Sequence, residues 1–251
     1  MRQLLPRLVD PADPLDVYAD LPLAAGRPAV RLNMIASIDG ATAVAGVSGP
    51  LGGPADRRIY LTLRALADVV LVGAGTVRAE RYGQVTLPDD LLEARRRRGD
   101  AGLPRIAVVS RSCQLDWEAP LFTAASARPV VITVAEAPDD ARARAAQVAD
   151  VIVAGERHVD LALALDVLGR AGARAVLAEG GPTLNGQLAA AGLLDEVCLT
   201  VSPLLAGGDA RRILAGPALQ DPPRFTLRSL CEEDDFLFLR YRASREAPPA
   251  A

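Results

Sequence analysis

The sequence predicts an α/β protein built on a mostly parallel sheet, and three observations carry that reading. From residue 29 onward, short apolar runs alternate with amphipathic stretches across connections of a few residues. Several of those runs, DVVLVG at 68–73 and AVLA at 175–178 among them, are apolar without alternation, as strands covered on both faces must be. Near the C-terminus the pattern changes. Residues 224–230 and 236–241 flank the acidic turn CEEDD, as an antiparallel hairpin at a sheet edge would.

Taken in order, residues 1–27 are rich in Pro and Asp and read as an irregular extension ahead of one domain at 28–243. AVRLNMIA at 29–36 is the first strand, and the Gly-, Ala- and Ser-rich stretch 37–53 is a long loop. A helix runs from Pro54 to Leu66, with Ile59, Leu63 and Leu66 near helical spacing. The strand at 68–73 follows, and Gly75-Thr76 starts a short helix with Thr76 as its N-cap. The RRRR run at 95–98 reads as a solvated helix end and loop. Strands at 105–109, 129–134 and 150–154 alternate with helices at 138–148 and 161–170. The strand at 175–179 closes on Glu179, Gly180-Gly181 makes a turn, and Pro182 takes the first position of a new helix, where its missing N–H is harmless. A strand at 196–202 precedes the hairpin, and 244–251 reads as a disordered tail.

Composition narrows the function. Of 251 residues half are hydrophobic and 24% charged, with a net charge of −3, which argues against nucleic acid or an anionic membrane as partner. Three cysteines lie far apart without a C-x-x-C, as reduced thiols would, and His158 is the only histidine, so no metal site is expected. His158 itself reads as part of a surface connection. The N-terminus has no signal-peptide pattern and no apolar run reaches spanning length, so a cytoplasmic protein is expected.

In open α/β sheets ligands bind beyond the carboxyl ends of the strands. Four segments sit there: Ser37-Ile38-Asp39-Gly40, Gly73-Ala74-Gly75-Thr76, Ser110-Arg111 and Glu179-Gly180-Gly181-Pro182-Thr183. The two glycine turns leave main-chain N–H groups bare at helix starts, a cradle for phosphates. Ser110-Arg111 sets a hydroxyl beside a guanidinium, a match for a phosphate monoester. Together they suggest NADPH more than NADH, although neither turn is the G-x-G-x-x-G fingerprint. Each residue also has a plainer reading. Asp56 can stabilise a helix N-terminus, Asp39 can serve the D-G turn, Glu179 can be a strand-end carboxylate, and Arg64 can be a surface or ion-pair residue.

The series NMIASIDG, GP-x6-DRRIY, LRALADVVLVGAGTV, VVSRS, EGGPTLNGQL and DEVCLTVSPLLAGG resembles, in order over residues 29–242, the reductase domain of the bifunctional riboflavin-biosynthesis deaminase/reductase. That pyrimidine reductase family has a dihydrofolate-reductase-like fold, three α/β/α layers on a mixed, mostly parallel sheet. The resemblance implies NADPH-dependent reduction of the ribosyl ring of a phosphoribosylamino-pyrimidine, a small heterocyclic substrate, by a homodimer. It implies that Gly73, Gly75, Thr76, Glu179, Gly180, Gly181, Pro182 and Thr183 hold the dinucleotide, with Ser110 and Arg111 on its 2′-phosphate. It further implies that Ala36 borders the nicotinamide, that Ser37, Asp39 and Asp56 serve substrate and catalysis, and that 37–53 is a lid. A cis Gly180–Gly181 bond is implied too, as in the dihydrofolate-reductase relatives. The chain departs from the family in three places. The deaminase half is absent, the lysine of S-L-D-G-K is Ala41, and the acidic D-D-P is replaced by Ala79-Glu80-Arg81-Tyr82-Gly83. The last two fall on the substrate side, so a dihydrofolate-type activity on a pterin and a non-catalytic NADP-binding protein stay open as alternatives.

Overall fold

The computed structural model describes all residues except 23, 25, 101, 125 and 245–251. The expected tail therefore lies outside the described residues apart from Ser244. The strands are β1 (Arg2–Leu5), β2 (Ala29–Ser37), β3 (Val69–Gly73), β4 (Arg105–Val109) and β5 (Val130–Thr133). They continue as β6 (Asp150–Val153), β7 (Ala175–Ala178), β8 (Glu196–Ser202), β9 (Phe225–Glu233) and β10 (Phe236–Ala243). The α-helices are α1 (Pro14–Tyr18), α2 (Pro54–Ala65), α3 (Ala74–Ala79), α4 (Asp89–Arg97), α5 (Pro120–Thr123), α6 (Asp139–Val148), α7 (Leu161–Arg170) and α8 (Pro182–Ala190).

All strands join one sheet in the order β1-β9-β10-β8-β2-β7-β3-β4-β5-β6. From β8 to β6 neighbours are parallel, and β10, β9 and β1 continue antiparallel. The unbroken apolar runs have the expected cause, because both faces of the parallel part are covered. Val30, Leu32, Leu71, Ile132 and Val176 pack under α7 and α8. Val70, Val72 and Val108 face the other way onto α3 and α5, and Leu177, Cys198 and Phe238 pack with α1 and α2. The result is three layers.

Four local expectations change. The 1–27 stretch is not irregular. It adds β1 to the edge beside β9, and α1 buries Tyr18 under a cap in which Leu15 N–H donates to Asp13. The arginine run is not wholly solvated: buried Arg95 donates to the carbonyls of Ala65, Ala67 and Gly102 and so holds the end of α2. Thr76 is not an N-cap. Gly73 takes that place and Thr76 is the third residue of α3. The hairpin strands run further than expected and close through Asp234 and Asp235, both at positive φ, the two-residue link that matches strand twist.

At the base of the sheet an ionic cluster joins the lead-in to the body. Glu196, fully buried, meets Arg31, Arg240 at 2.9 Å and Arg242 at 3.1 Å. Arg31 and Arg240 also donate to main-chain carbonyls at the end of α1. Among the described residues no helix is long and apolar enough to cross a membrane.

Candidate active site

Strands β2, β7, β3 and β4 are neighbours and parallel, so their carboxyl ends share one edge. A cleft of about 1530 Å³ opens there. Of the residues singled out from the sequence, Asp56, Gly73, Gly75, Thr76, Ser110, Arg111, Glu179, Gly181, Pro182 and Thr183 line it.

The two glycine turns interlock. Gly73 N–H donates to Gly180 O at 2.7 Å, Gly180 has φ +94°, and the Gly180–Gly181 peptide is cis as expected. A Cβ on Gly181 would stand 2.6 Å from Thr76 Oγ1, so any larger residue there would force the threonine side chain to shift. No side chain caps α8. With proline at its first position, the N–H groups of Thr183 and Leu184 have no acceptor within the helix. This is a bare cradle, and it fits a pyrophosphate.

Next along the edge, Ser110 N–H donates to Ile132 O at 2.9 Å and the Thr133 hydroxyl donates to Arg111 O at 3.2 Å. Those bonds fix the turn after β4. The Arg111 guanidinium is exposed and makes no hydrogen bond or ion pair with another described residue.

Helix α2 supplies the opposite wall. Asp56, Tyr60 and Arg64 follow at i, i+4 and i+8, so one helical face presents all three to the cleft. Asp56 makes no capping bond at the helix start. Burial pushes its carboxyl pKa up, and a hydrogen bond with Thr200 opposes the rise. Arg64 is the ion-pair residue of the plainer reading, but a buried one. Its Nε and Nη2 donate to the two oxygens of Glu179, each at 2.7 Å, and the Tyr82 hydroxyl adds a bond of 2.6 Å. The guanidinium lies 4.2 Å from the Tyr60 ring centroid and 5.5 Å from that of Tyr82. Burial opposes the Arg64 charge, yet Glu179 outweighs it and holds the pKa above the ordinary range. Burial, then Glu179, pushes both tyrosine hydroxyls up as well. Glu179, grouped above with the cofactor residues, thus has both oxygens engaged inside the protein.

The β2 end departs most from expectation. Ala36, Ser37 and Asp39 do not line the cleft, and Asn33, Met34 and Ile35 do. The reason is a turn network. Ser37 Oγ donates to Asp39, accepts from Ala41 N–H at 2.9 Å, and is buried by the turn it closes. Asp39 also accepts from the N–H groups of Ala206 at 3.1 Å and Gly207 at 2.7 Å. The Ser37 hydrogen bond first, then those amides, lower its pKa to about 2. The D-G turn chemistry therefore accounts for Asp39. The 37–53 loop is fastened further by Thr42 to Arg211 O at 2.8 Å and by Ser48 N–H to Glu80 at 2.9 Å.

Tyr60, residues 209–211 and His158 also line the cleft without having been assigned to it from the sequence. Tyr60 was legible from its spacing between Asp56 and Arg64. Residues 209–211 carried no periodic signal, because distant contacts alone place them. His158 is exposed as expected, but it also lines the cleft.

Residues 28–236 match the family model described as the RibD C-terminal domain. A 2,5-diamino-6-ribosylamino-4(3H)-pyrimidinone 5′-phosphate reductase of Methanothermobacter thermautotrophicus is 35% identical over 198 residues, 78% of this chain and 87% of that protein. Its namesake from Archaeoglobus fulgidus is 33% identical over 183 residues, 72% of this chain and 83% of the relative. Among solved structures, a pyrimidine reductase-like protein from Corynebacterium diphtheriae superposes with a TM-score of 0.79 at 31% identity, covering 93% of this chain and 99% of that one. The Saccharomyces riboflavin biosynthesis reductase Rib7, at 18% identity and a TM-score of 0.66 over 92% of this chain and 98% of its own, shares the fold.

Proposed function

This chain belongs to the riboflavin-biosynthesis pyrimidine reductases, a family of oxidoreductases, and we propose that it reduces the ribosyl ring of a phosphoribosylamino-pyrimidine with NADPH. One observation carries the reading: the glycine turns after β3 and β7 and the Ser110-Arg111 turn after β4 stand side by side on one cleft. A reduced nicotinamide supplies the hydride, so the protein needs to position the partners and exclude water more than it needs acids and bases. In this assignment the amides of Thr183 and Leu184 take the pyrophosphate and Ser110 with Arg111 takes the 2′-phosphate. The Asp56 carboxylate accepts N–H groups of the substrate ring. The buried Arg64–Glu179 pair holds the turn at 179–181 in place.

The test is NADPH oxidation by the purified protein, with the diaminopyrimidinone named for the relatives and with its deaminated uracil counterpart. Turnover of either supports the proposal, and turnover of neither removes it. Asp56→Asn is expected to lower kcat/KM roughly ten- to a hundredfold, the worth of a hydrogen bond to a charged group, with NADPH affinity unchanged. A pterin is the second reading, favoured by the buried carboxyl of Asp56 at a site where Ala41 replaces the family lysine. Reduction of dihydrofolate in the same assay, with no turnover of either pyrimidine, would select it.

We also propose a homodimer. Leu237 on β10 and Leu204 and Leu205 after β8 are 38%, 44% and 77% exposed beside the outward residues of β8. Light scattering on the eluting protein should give twice the chain mass. A monomer mass would refute the assembly and leave the chemistry untouched.

A further inference from the structure

The only histidine of the sequence, His158, lines the cleft and has no side-chain hydrogen bond or ion pair among the described residues. His158 lies on the loop between β6 and α7. That loop is closed on itself: Asp160 N–H donates to Ala154 O at 3.0 Å, and Gly155, at φ +92°, lets the chain fold back so tightly that a Cβ there would meet His158 O at 2.3 Å. The strand ends beside it are joined in turn. Ala154 N–H donates to Thr133 O at 2.8 Å, and the Thr133 hydroxyl holds Arg111 O. The ends of β4, β5 and β6 thus form one fixed rim, with Arg111 at one side and His158 at the other. Two strand spacings, about 10 Å, separate the two backbones. The long arginine side chain and the shorter imidazole both line the cleft between those backbones.

The chemistry of this end of the cleft is one-sided. Ser110, Arg111, Ser112 and His158 line it, whereas the carboxylates lining the cleft (Asp56, Glu80, Glu179, Asp209) come from other segments. Neither Arg111 nor His158 makes a side-chain hydrogen bond or ion pair with a described residue. The charged residues of its loop are Glu156, Arg157 and Asp160; Glu136 after β5 is joined to that loop by its N–H to Glu156 O at 3.1 Å, and Arg111 after β4 lines the same cleft. Glu136 is taken by Arg157 at 2.7 Å, and Asp160 caps α7 through Leu163 N–H at 3.0 Å.

Resting on the NADPH reading above, we propose that His158 is a specificity-determining residue that grips the cofactor's 2′-phosphate opposite Arg111. An imidazolium brings positive charge as well as an N–H donor to a phosphate, so the phosphorylated carrier gains over one that lacks the group.

The experiment measures binding, by calorimetry, of adenosine 2′,5′-bisphosphate and of 5′-AMP to the wild-type protein, His158→Gln and His158→Lys. The wild type should bind the bisphosphate roughly tenfold more tightly than His158→Gln, the worth of one hydrogen bond between charged groups. 5′-AMP should bind both alike, and His158→Lys should keep the tight binding. Equal bisphosphate affinity in wild type and His158→Gln would overturn the inference while leaving the Ser110-Arg111 assignment standing. Equal losses for 5′-AMP and the bisphosphate would also overturn it, since His158 would then touch the adenine. If the wild type binds no bisphosphate at all, the NADPH reading falls and takes the inference with it.

Discussion

Replacing Ser110 and Arg111 together with alanine is expected to weaken NADPH binding about a hundredfold and to leave NADH binding as it was. A charge-assisted hydrogen bond contributes about 1.5–3 kcal/mol, and about 1.4 kcal/mol is a factor of ten in affinity. Two such contacts to the 2′-phosphate therefore reach two powers of ten, and the unphosphorylated carrier has no group to lose them on. The fold should tolerate the change. Arg111 is exposed and unpaired among the described residues, and the turn is held by the main chain of both residues, not by their side chains. Fluorescence titration of both carriers checks the result. Equal losses for the two would mean that this turn does not meet the phosphate that tells them apart.

The largest effect on stability is expected at Glu196. Its carboxylate has no solvent exposure and accepts from Arg31, Arg240 and Arg242. Burial raises its pKa, and the three guanidiniums outweigh burial and leave it lowered. Glutamine keeps the shape and removes the charge, leaving Arg31 and Arg240 buried with only carbonyls and Asp20 to face. Breaking a buried pair from one side costs about 3–5 kcal/mol, a large fraction of a typical domain's stability. The sign of the pH dependence follows. A carboxyl with a lowered folded pKa stabilises above its unfolded value, about 4.3, and that contribution disappears as pH falls through the folded value. Thermal unfolding of Glu196→Gln should show the loss at neutral pH and a shallower decline on acidification than the wild type. An unchanged melting temperature would show that the cluster carries no net stability.

How much of this was legible beforehand depended on whether a segment's structure is set locally. The glycine turns at 73–76 and 180–183 and the Ser110-Arg111 turn follow from strand-then-helix patterning, and the fold places them where that pattern puts them. The D-G turn at Asp39 is local and follows from the sequence, whereas its bonds from Ala206 and Gly207, far along the chain, do not. The same distance hid the 209–211 segment. Strand β1 escaped because an edge strand of four residues is only partly buried and shows no apolar pattern. Arg95 escaped because four identical residues in a run look alike, and only the end of α2 decides which one turns inward.

The bond from Gly73 N–H to Gly180 O makes the two phosphate turns a single bracket. Spreading one turn from the other would break that bond, and at Gly181 the fit is close enough that a Cβ would stand 2.6 Å from the Thr76 hydroxyl. A docking surface whose shape is settled before arrival loses little ordering entropy when filled. The middle of a dinucleotide would then be received much the same whichever carrier brings it. Choice is left to the unfastened side chains farther along the rim.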